Sequence, residues 1–376
     1  MSTAGNVVYI LRSNPVDPDA RVEKEACTLK KHGYDVRVLA WDRESDHGPV
    51  SDWLTVGDQR IPITRLGFRA TYGEGFQNLL PYLKFQLAMR RFLLRADPAI
   101  VHACDFDTAC FSYGAARRRH AKFVFDLFDF LQADPQNLLE RVVHRVVYGL
   151  INRADATIIC TEERKKQIEG SRPKRLTVIH NTPMEAQRTE TRFPLQSNSD
   201  RLKAAYVGVF QEHRMLDALV SFFSAHPEYE WHVAGFGKLQ PMIERAAETS
   251  DHIFFYGRIP YSSALSLEQQ ADVILALYDP QIDNHRYAAP NKFYESLALG
   301  KPVMMVRGSG MSDVVERWDI GAVIDCSEEG VARGLETLAA RRAEWPEMAE
   351  KMKTLYDRCY SWEEMERRLI ELYEAL

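Results

Sequence analysis

The sequence has no CxxC pair, no long apolar run and no excess of positive charge. Its six cysteines, at 27, 104, 110, 160, 326 and 359, are scattered. That spacing excludes a zinc ribbon and predicts reduced thiols rather than a disulfide frame. No apolar stretch approaches the roughly 18 residues that a membrane-spanning helix needs. The opening MSTAGNVVYILRSNP lacks a cationic segment before its short apolar run, so a first strand is expected there rather than a secretory signal. A net charge of -5 argues against a general nucleic-acid binder. No Walker loop or nucleophile elbow is present. VAGFGK (233–238) has only part of a dinucleotide fingerprint. The chain is therefore expected in the cytoplasm, with a membrane surface left open as a partner.

What is present is a long alternation of strand and helix patterns. VVYIL (7–11) is apolar, and Asp17-Pro18 offers a cap and first turn for the helix that follows. VRVLAW, ITRLGF, AIVHACD, KFVFDLFD, ATIIC and LTVIHN then read as strands separated by helices. Residues 183–200 are polar, flanked by proline and without periodicity. Alternation resumes with LKAAYVGVF, EWHVAGFG, HIFFYGRI, DVILALY and PVMMV. Such alternation implies parallel sheets covered on both faces. The fold class is α/β, with two doubly wound, Rossmann-like domains facing across a cleft. The expected boundaries are 1–185, a linker at 186–200, a second domain at 201–355, and a C-terminal helix at 356–376 that packs back on the first domain. With 376 residues the chain is long enough for two cores of ordinary size.

Ligands of such sheets bind beyond the carboxyl ends of the strands, so the candidate residues are those just after strands. Gly208 ends the first strand of the second block, and Arg214 follows near the next helix. Glycine lets a ligand approach the backbone, and arginine forks onto phosphate oxygens. Arg258 and Ile259 follow the third strand. In APNKFYESLALGKPVMMV (289–306), Pro290 suits the start of a helix and Gly300 its left-handed end. Phe293, Leu297 and Gly300 repeat on one face, while Lys292, Glu295, Ser296 and Leu299 share the other, polar one. Asn291, Lys292 and the helix start form a candidate anion cradle. In the first block Asp105 and Asp129 end strands, each equally suited to capping a helix or to facing a ligand. His102 and His180 lie within strands and read as satisfied core residues. His285 lies in a loop ahead of the Pro290 helix.

The order of these motifs resembles the GT-B glycosyltransferases, specifically the retaining enzymes of family 4, from about residue 6 to 340. The resemblance implies a donor site in the second domain. There Glu295 would hold the ribose hydroxyls, Arg214 and Lys292 would meet the donor diphosphate, and Arg258 and Ile259 would lie where the base is read. Arg21 and Asp105 would face the cleft from the first domain. It implies Arg214, Lys292 and Asp105 as the catalytic set, with Gly208, Arg214, Arg258, Ile259, Asn291, Lys292 and Glu295 binding the donor. Three departures stand out: Tyr287 occupies the place of the first Glu of the family's pair, NPVDPDA replaces its Gly-Gly loop, and Phe128 replaces a histidine. The expected activity is metal-independent transfer of a hexose from a UDP- or GDP-sugar to a glycan or polyprenyl-linked acceptor in surface polysaccharide or glycoconjugate assembly, without a resident cofactor. A nucleotide-sugar epimerase or hydrolase using Asp105, Asp129 and His285, and a non-catalytic sugar-nucleotide-binding partner, are the alternatives. The basic amphipathic stretch 76–97 is a candidate membrane-surface helix. For the similar segment 138–153, packing into the first domain is the favoured role.

Overall fold

The computed structural model describes residues 6–17, 19–71, 78–130, 138–184, 192–197, 199–288 and 290–376. Pro18, of the Asp17-Pro18 helix start, and much of the expected linker lie outside them. The chain divides into two compact units, one formed by Met1–His180 with Met365–Leu376 and the other by Asn181–Glu364.

The first unit runs β1 (Val7–Arg12), α1 (Ala20–Lys31), β2 (Asp35–Asp42), β3 (Val50–Val56), β4 (Gln59–Gly67), α2 (Leu79–Ala96), β5 (Ile100–Cys104), α3 (Asp105–Arg118), β6 (Lys122–Leu127), α4 (Leu138–Arg153), β7 (Ala156–Ile159), α5 (Arg164–Gln167) and β8 (Leu176–Val178). Its sheet has the order β3-β4-β2-β1-β5-β6-β7-β8. All neighbours are parallel except β3 and β4, which pair antiparallel at one edge. The central strands are apolar throughout because helices cover both faces. Leu11, Leu39, Val101, Phe123 and Ile159 meet α2, α3 and α4 in one core.

The second unit runs β9 (Leu202–Val209), α6 (Leu216–Ala225), β10 (Tyr229–Phe236), α7 (Gln240–Glu248), β11 (Ile253–Phe255), α8 (Tyr261–Gln270), β12 (Val273–Ala276), α9 (Asp283–Arg286), α10 (Asn291–Leu299), β13 (Val303–Val306), α11 (Ser312–Trp318), β14 (Gly321–Ile324), α12 (Glu328–Ala340) and α13 (Trp345–Leu355). A π-helical turn at Tyr356–Tyr360 leads to α14 (Trp362–Glu374). The sheet order is β11-β10-β9-β12-β13-β14, all parallel. The order reverses beside β9. That strand therefore sits at a topological switch point, the usual location of a ligand site.

One expectation needs correction, and one strand lies outside the sequence reading. The first helix is capped by Asp19, whose side chain accepts the Val22 N–H, not by Asp17. Strand β3 was not foreseen, because Val50, Trp53, Leu54 and Val56 in VSDWLTV do not alternate regularly and most of the strand is exposed. The division between units falls at 180/181 and again within α14, so the last helix contributes to both. No helix among the described residues is long and apolar enough to cross a membrane.

Candidate functional site

The helix foreseen at 290–299 is α10, with Pro290 just before it and Gly300 at φ 64° ending it in the left-handed conformation. Its polar face is not a solvated one. Lys292, Glu295 and Ser296 are all buried, at 7%, 5% and 0% exposure. Burying charges on a helix that already buries Phe293 and Leu297 costs free energy unless something compensates, so the arrangement needs a chemical reason.

The Lys292 ammonium lies 4.6 Å from the centre of the Tyr206 ring. It has no hydrogen-bond or ion-pair partner among the described residues. It sits against the end of β9, where Gly208 has φ 150°, and a Cβ added to Gly208 would fall 2.8 Å from Nζ. Glycine at 208 thus makes room for the ammonium. Burial, the largest influence, draws the Lys292 pKa down. Tyr278, Tyr206, Glu295 and Glu268 together raise it above the ordinary value, so the group stays charged.

Arg214 reaches the same region from the loop between β9 and α6, which turns through left-handed residues at His213 and Met215. Its guanidinium stacks on Tyr278, 3.6 Å from the ring centre. Its Nη1 is buried and has no hydrogen-bond partner among the described residues. Tyr278 follows β12 and packs edge-on against His285, 5.2 Å between ring centres. The His285 Nδ1 lies 2.9 Å from the Asp279 carbonyl oxygen. Burial and then Arg214 push the His285 pKa down, so this ring stays neutral beside the arginine. An aromatic floor of Tyr206 and Tyr278 therefore holds a buried lysine and a half-buried arginine, each with unspent donors among the described residues.

Glu295 accepts a hydrogen bond from the Tyr261 hydroxyl at 2.8 Å, linking α10 to the start of α8. Asn291 accepts one from the Asn181 amide at 3.0 Å. Arg258 is exposed and lies over Phe236, 4.7 Å from the ring centre. Ile259 is half-buried against Ala205, Ala234, Leu267 and Ala271. The structure thus brings Gly208, Arg214 and Lys292 together, puts Glu295 and Asn291 on the Lys292 helix, and leaves Arg258 and Ile259 at the β11 end of the sheet. Tyr206, Tyr278 and Tyr261 were not singled out from sequence. Tyrosines in strands, turns and helix starts carry no signal of their own.

Asp105 belongs to the other unit. It is the first residue of α3, at φ 63°, and its carboxylate accepts the N–H groups of Phe128 (2.8 Å) and Asp129 (3.2 Å) and pairs with Arg12. Burial pushes its pKa up to about 6 in spite of Arg12. These contacts make it the organiser of the turns after β5 and β6. Asp129 is exposed and accepts from Arg164 at 3.2 Å. Arg21, expected to face a ligand, is buried and donates to Asp126 through Nη2 (2.9 Å) and Nε (3.2 Å) and to the Ile179 carbonyl oxygen. His102 and His180 are core residues, His102 with the Tyr373 hydroxyl at 2.7 Å and His180 with Glu162 at 3.2 Å. The ligand atoms of His102, Cys104 and Asp126 lie within 4.8 Å of one another. A metal there would have to displace the Arg21 guanidinium from Asp126.

Family comparisons identify both units. A glycosyl transferase 4-like domain matches residues 18–182, and the glycosyl transferases group 1 domain matches residues 187–355. No curated protein matches the sequence significantly. Solved structures with the same fold include a sucrose-phosphate synthase from Thermosynechococcus elongatus (TM-score 0.78, 15% identity, 98% of each chain covered). HepE of Anabaena, solved in complex with UDP, is similar over 98% of this chain and 100% of its own (TM-score 0.68, 15% identity). A glycosyltransferase from Rickettsia africae matches over 98% of each chain (TM-score 0.69, 12% identity). The chain belongs to the family 4-like, group 1 glycosyltransferases of the GT-B fold.

Proposed function

We propose that the protein transfers a hexose with retention from a nucleoside-diphosphate sugar, and that the Lys292–Arg214 pocket receives the diphosphate. The observation that carries this reading is a buried lysine without a hydrogen-bond partner among the described residues and a half-buried arginine whose buried Nη1 has none among them, beside a glycine at a topological switch point. Retaining transfer passes through an oxocarbenium-like transition state, as in glycosidases. Negative charge grows on the departing diphosphate at the same time. Two fixed cations and the start of α10 stabilise that charge without reorganising, each contributing on the order of a few kcal/mol to the barrier. Protein groups alone supply the neutralisation in this mechanism, with no metal required. Glu295, held by Tyr261, would accept the ribose hydroxyls. Arg258 and Ile259 lie toward the base, and Asn291 borders the phosphates. A uridine or guanosine base is expected. HepE, a structural neighbour, was solved with UDP.

The acceptor in this reading is a glycan or polyprenyl-linked sugar, in surface polysaccharide or glycoconjugate assembly in the cytoplasm. What supports a lipid-linked acceptor is α2. It buries Phe85, Met89 and Leu93 but exposes Leu79, Leu80, Leu83 and Leu87 beside Lys84, Arg91 and Arg95. Helix α4 behaves similarly, packing Val147, Leu150 and Ile151 into the core and exposing Leu138, Val142 and Val146. Exposed aliphatic stripes with basic neighbours suit an anionic membrane surface.

The test is turnover of UDP- and GDP-hexoses by wild type, Lys292→Ala and Arg214→Ala, with folding checked by melting. Loss of about 10²-fold or more in each variant, without unfolding, is expected. Near-native turnover in both would reject the assignment.

A further inference from the structure

One buried group beside the pocket has no part in the mechanism above. Glu268 lies on α8, two turns beyond Tyr261 and on the same face. It is 1% exposed, and neither carboxyl oxygen has a hydrogen-bond partner among the described residues. A buried carboxyl without partners is rare and calls for an explanation. α8 packs against α10 and β9. The charged groups that act on Glu268 are Glu295 and Lys292, both from α10. Tyr261, on α8 itself, is affected by both acids. Tyr206, from β9, lies under Lys292.

Simple electrostatics gives this group two states. An ionised Glu268 would compensate the buried Lys292 ammonium, and the pocket would hold two cations and two anions. A neutral Glu268 leaves two cations against Glu295 alone, so one positive charge remains for an incoming anion. Burial, then the charge of Glu295, raise the Glu268 pKa well above the ordinary carboxyl range, with Lys292 opposing, which favours the neutral state near neutral pH.

We propose that Glu268 is a positioning residue that regulates the charge of the donor pocket: while neutral it leaves Lys292 free for the diphosphate, and once ionised it competes with the diphosphate for Lys292. The inference rests on the donor reading above and adds a regulator to it. Donor affinity should then fall as pH rises, even though Lys292 remains charged. Adding one negative charge at this depth corresponds to a loss of roughly tenfold in affinity.

The experiment is calorimetric titration of the full chain with UDP and with GDP between pH 7 and 9, on wild type, Glu268→Gln and Glu268→Met. The expected result is an affinity that weakens about tenfold with rising pH in wild type and stays level in both variants. Infrared spectra at pH 7 should show a buried protonated carboxyl that Glu268→Gln removes. Variants that share the wild-type pH profile, or a wild type lacking that band, overturn the proposal. Failure of the donor reading is distinguishable, and takes this proposal with it: neither nucleotide would then bind any of the three proteins at any pH.

Discussion

Replacing Gly208 with alanine tests the pocket through a single added methyl. The new Cβ would stand 2.8 Å from the Lys292 Nζ, closer than real Cβ contacts occur. The obstructing atom is the end of a flexible side chain, so the ammonium yields and the backbone need not. A displacement approaching 1 Å is enough to restore ordinary contact. The φ of 150° adds strain for any residue with a Cβ, at about 1 kcal/mol. That costs a few degrees in melting temperature for a unit of this size. The functional cost is larger, because a catalytic group misplaced by about 1 Å loses on the order of 10²-fold in rate. Gly208→Ala is therefore expected to fold, to melt slightly lower, and to lose about 10²-fold in kcat/KM for the nucleotide sugar. Lys292→Ala combined with Gly208→Ala should then be little worse than Lys292→Ala alone, because both changes act on one group. Wild-type kcat/KM in Gly208→Ala, or full additivity in the double variant, would refute the argument that glycine is there for the ammonium.

Other expectations follow from the same geometry. Tyr278→Leu removes the ring on which Arg214 stacks and should lower kcat/KM about tenfold or more, with Tyr278→Phe close to wild type because the stack needs the ring and not the hydroxyl. Asp105 has a folded pKa of about 6, above its unfolded value, so its stabilising effect is complete below about pH 4 and is lost as pH rises through 6. Relative to Asp105→Asn, wild type should lose up to about 2 kcal/mol between pH 4 and 7 in denaturant titrations; a pH-independent difference would contradict the assignment. Flotation with anionic liposomes at low salt should carry wild type upward. Leu80→Glu together with Leu83→Glu should leave it at the bottom, whereas equal flotation of both would remove α2 as the docking face.

Much of the architecture was legible because the strands of parallel sheets are apolar throughout and proline and glycine punctuate the helices. Pro290 and Gly300 bracketed α10 correctly. What periodicity cannot show is whether the second face of a helix is also covered. The motif order marks Lys292 and Glu295 as a candidate ligand cradle, but not that both are buried, with Tyr206 and Gly208 of β9 against Lys292 and Tyr261 of α8 against Glu295. Glu268 was invisible for the same reason, since a glutamate in a helix reads as surface. Strand β3 was missed because only its pairing with β4 identifies it. Arg21 was placed at a ligand-facing position by resemblance, yet its guanidinium is bound to Asp126 and a backbone carbonyl. Sequence names charged residues but not the partners that occupy them.

The central claim is that the Lys292–Arg214 pocket binds a nucleoside diphosphate, and thermal melting tests it most directly. Wild type and Glu295→Ala would be melted with UDP, GDP, ADP and dTDP and with their sugars. A ligand at about a hundredfold excess over its Kd stabilises the folded state by about 2.7 kcal/mol. The account predicts a clear rise in melting temperature with a uridine or guanosine diphosphate, smaller in Glu295→Ala. No rise with any of them, or a rise that Glu295→Ala leaves unchanged, would contradict it.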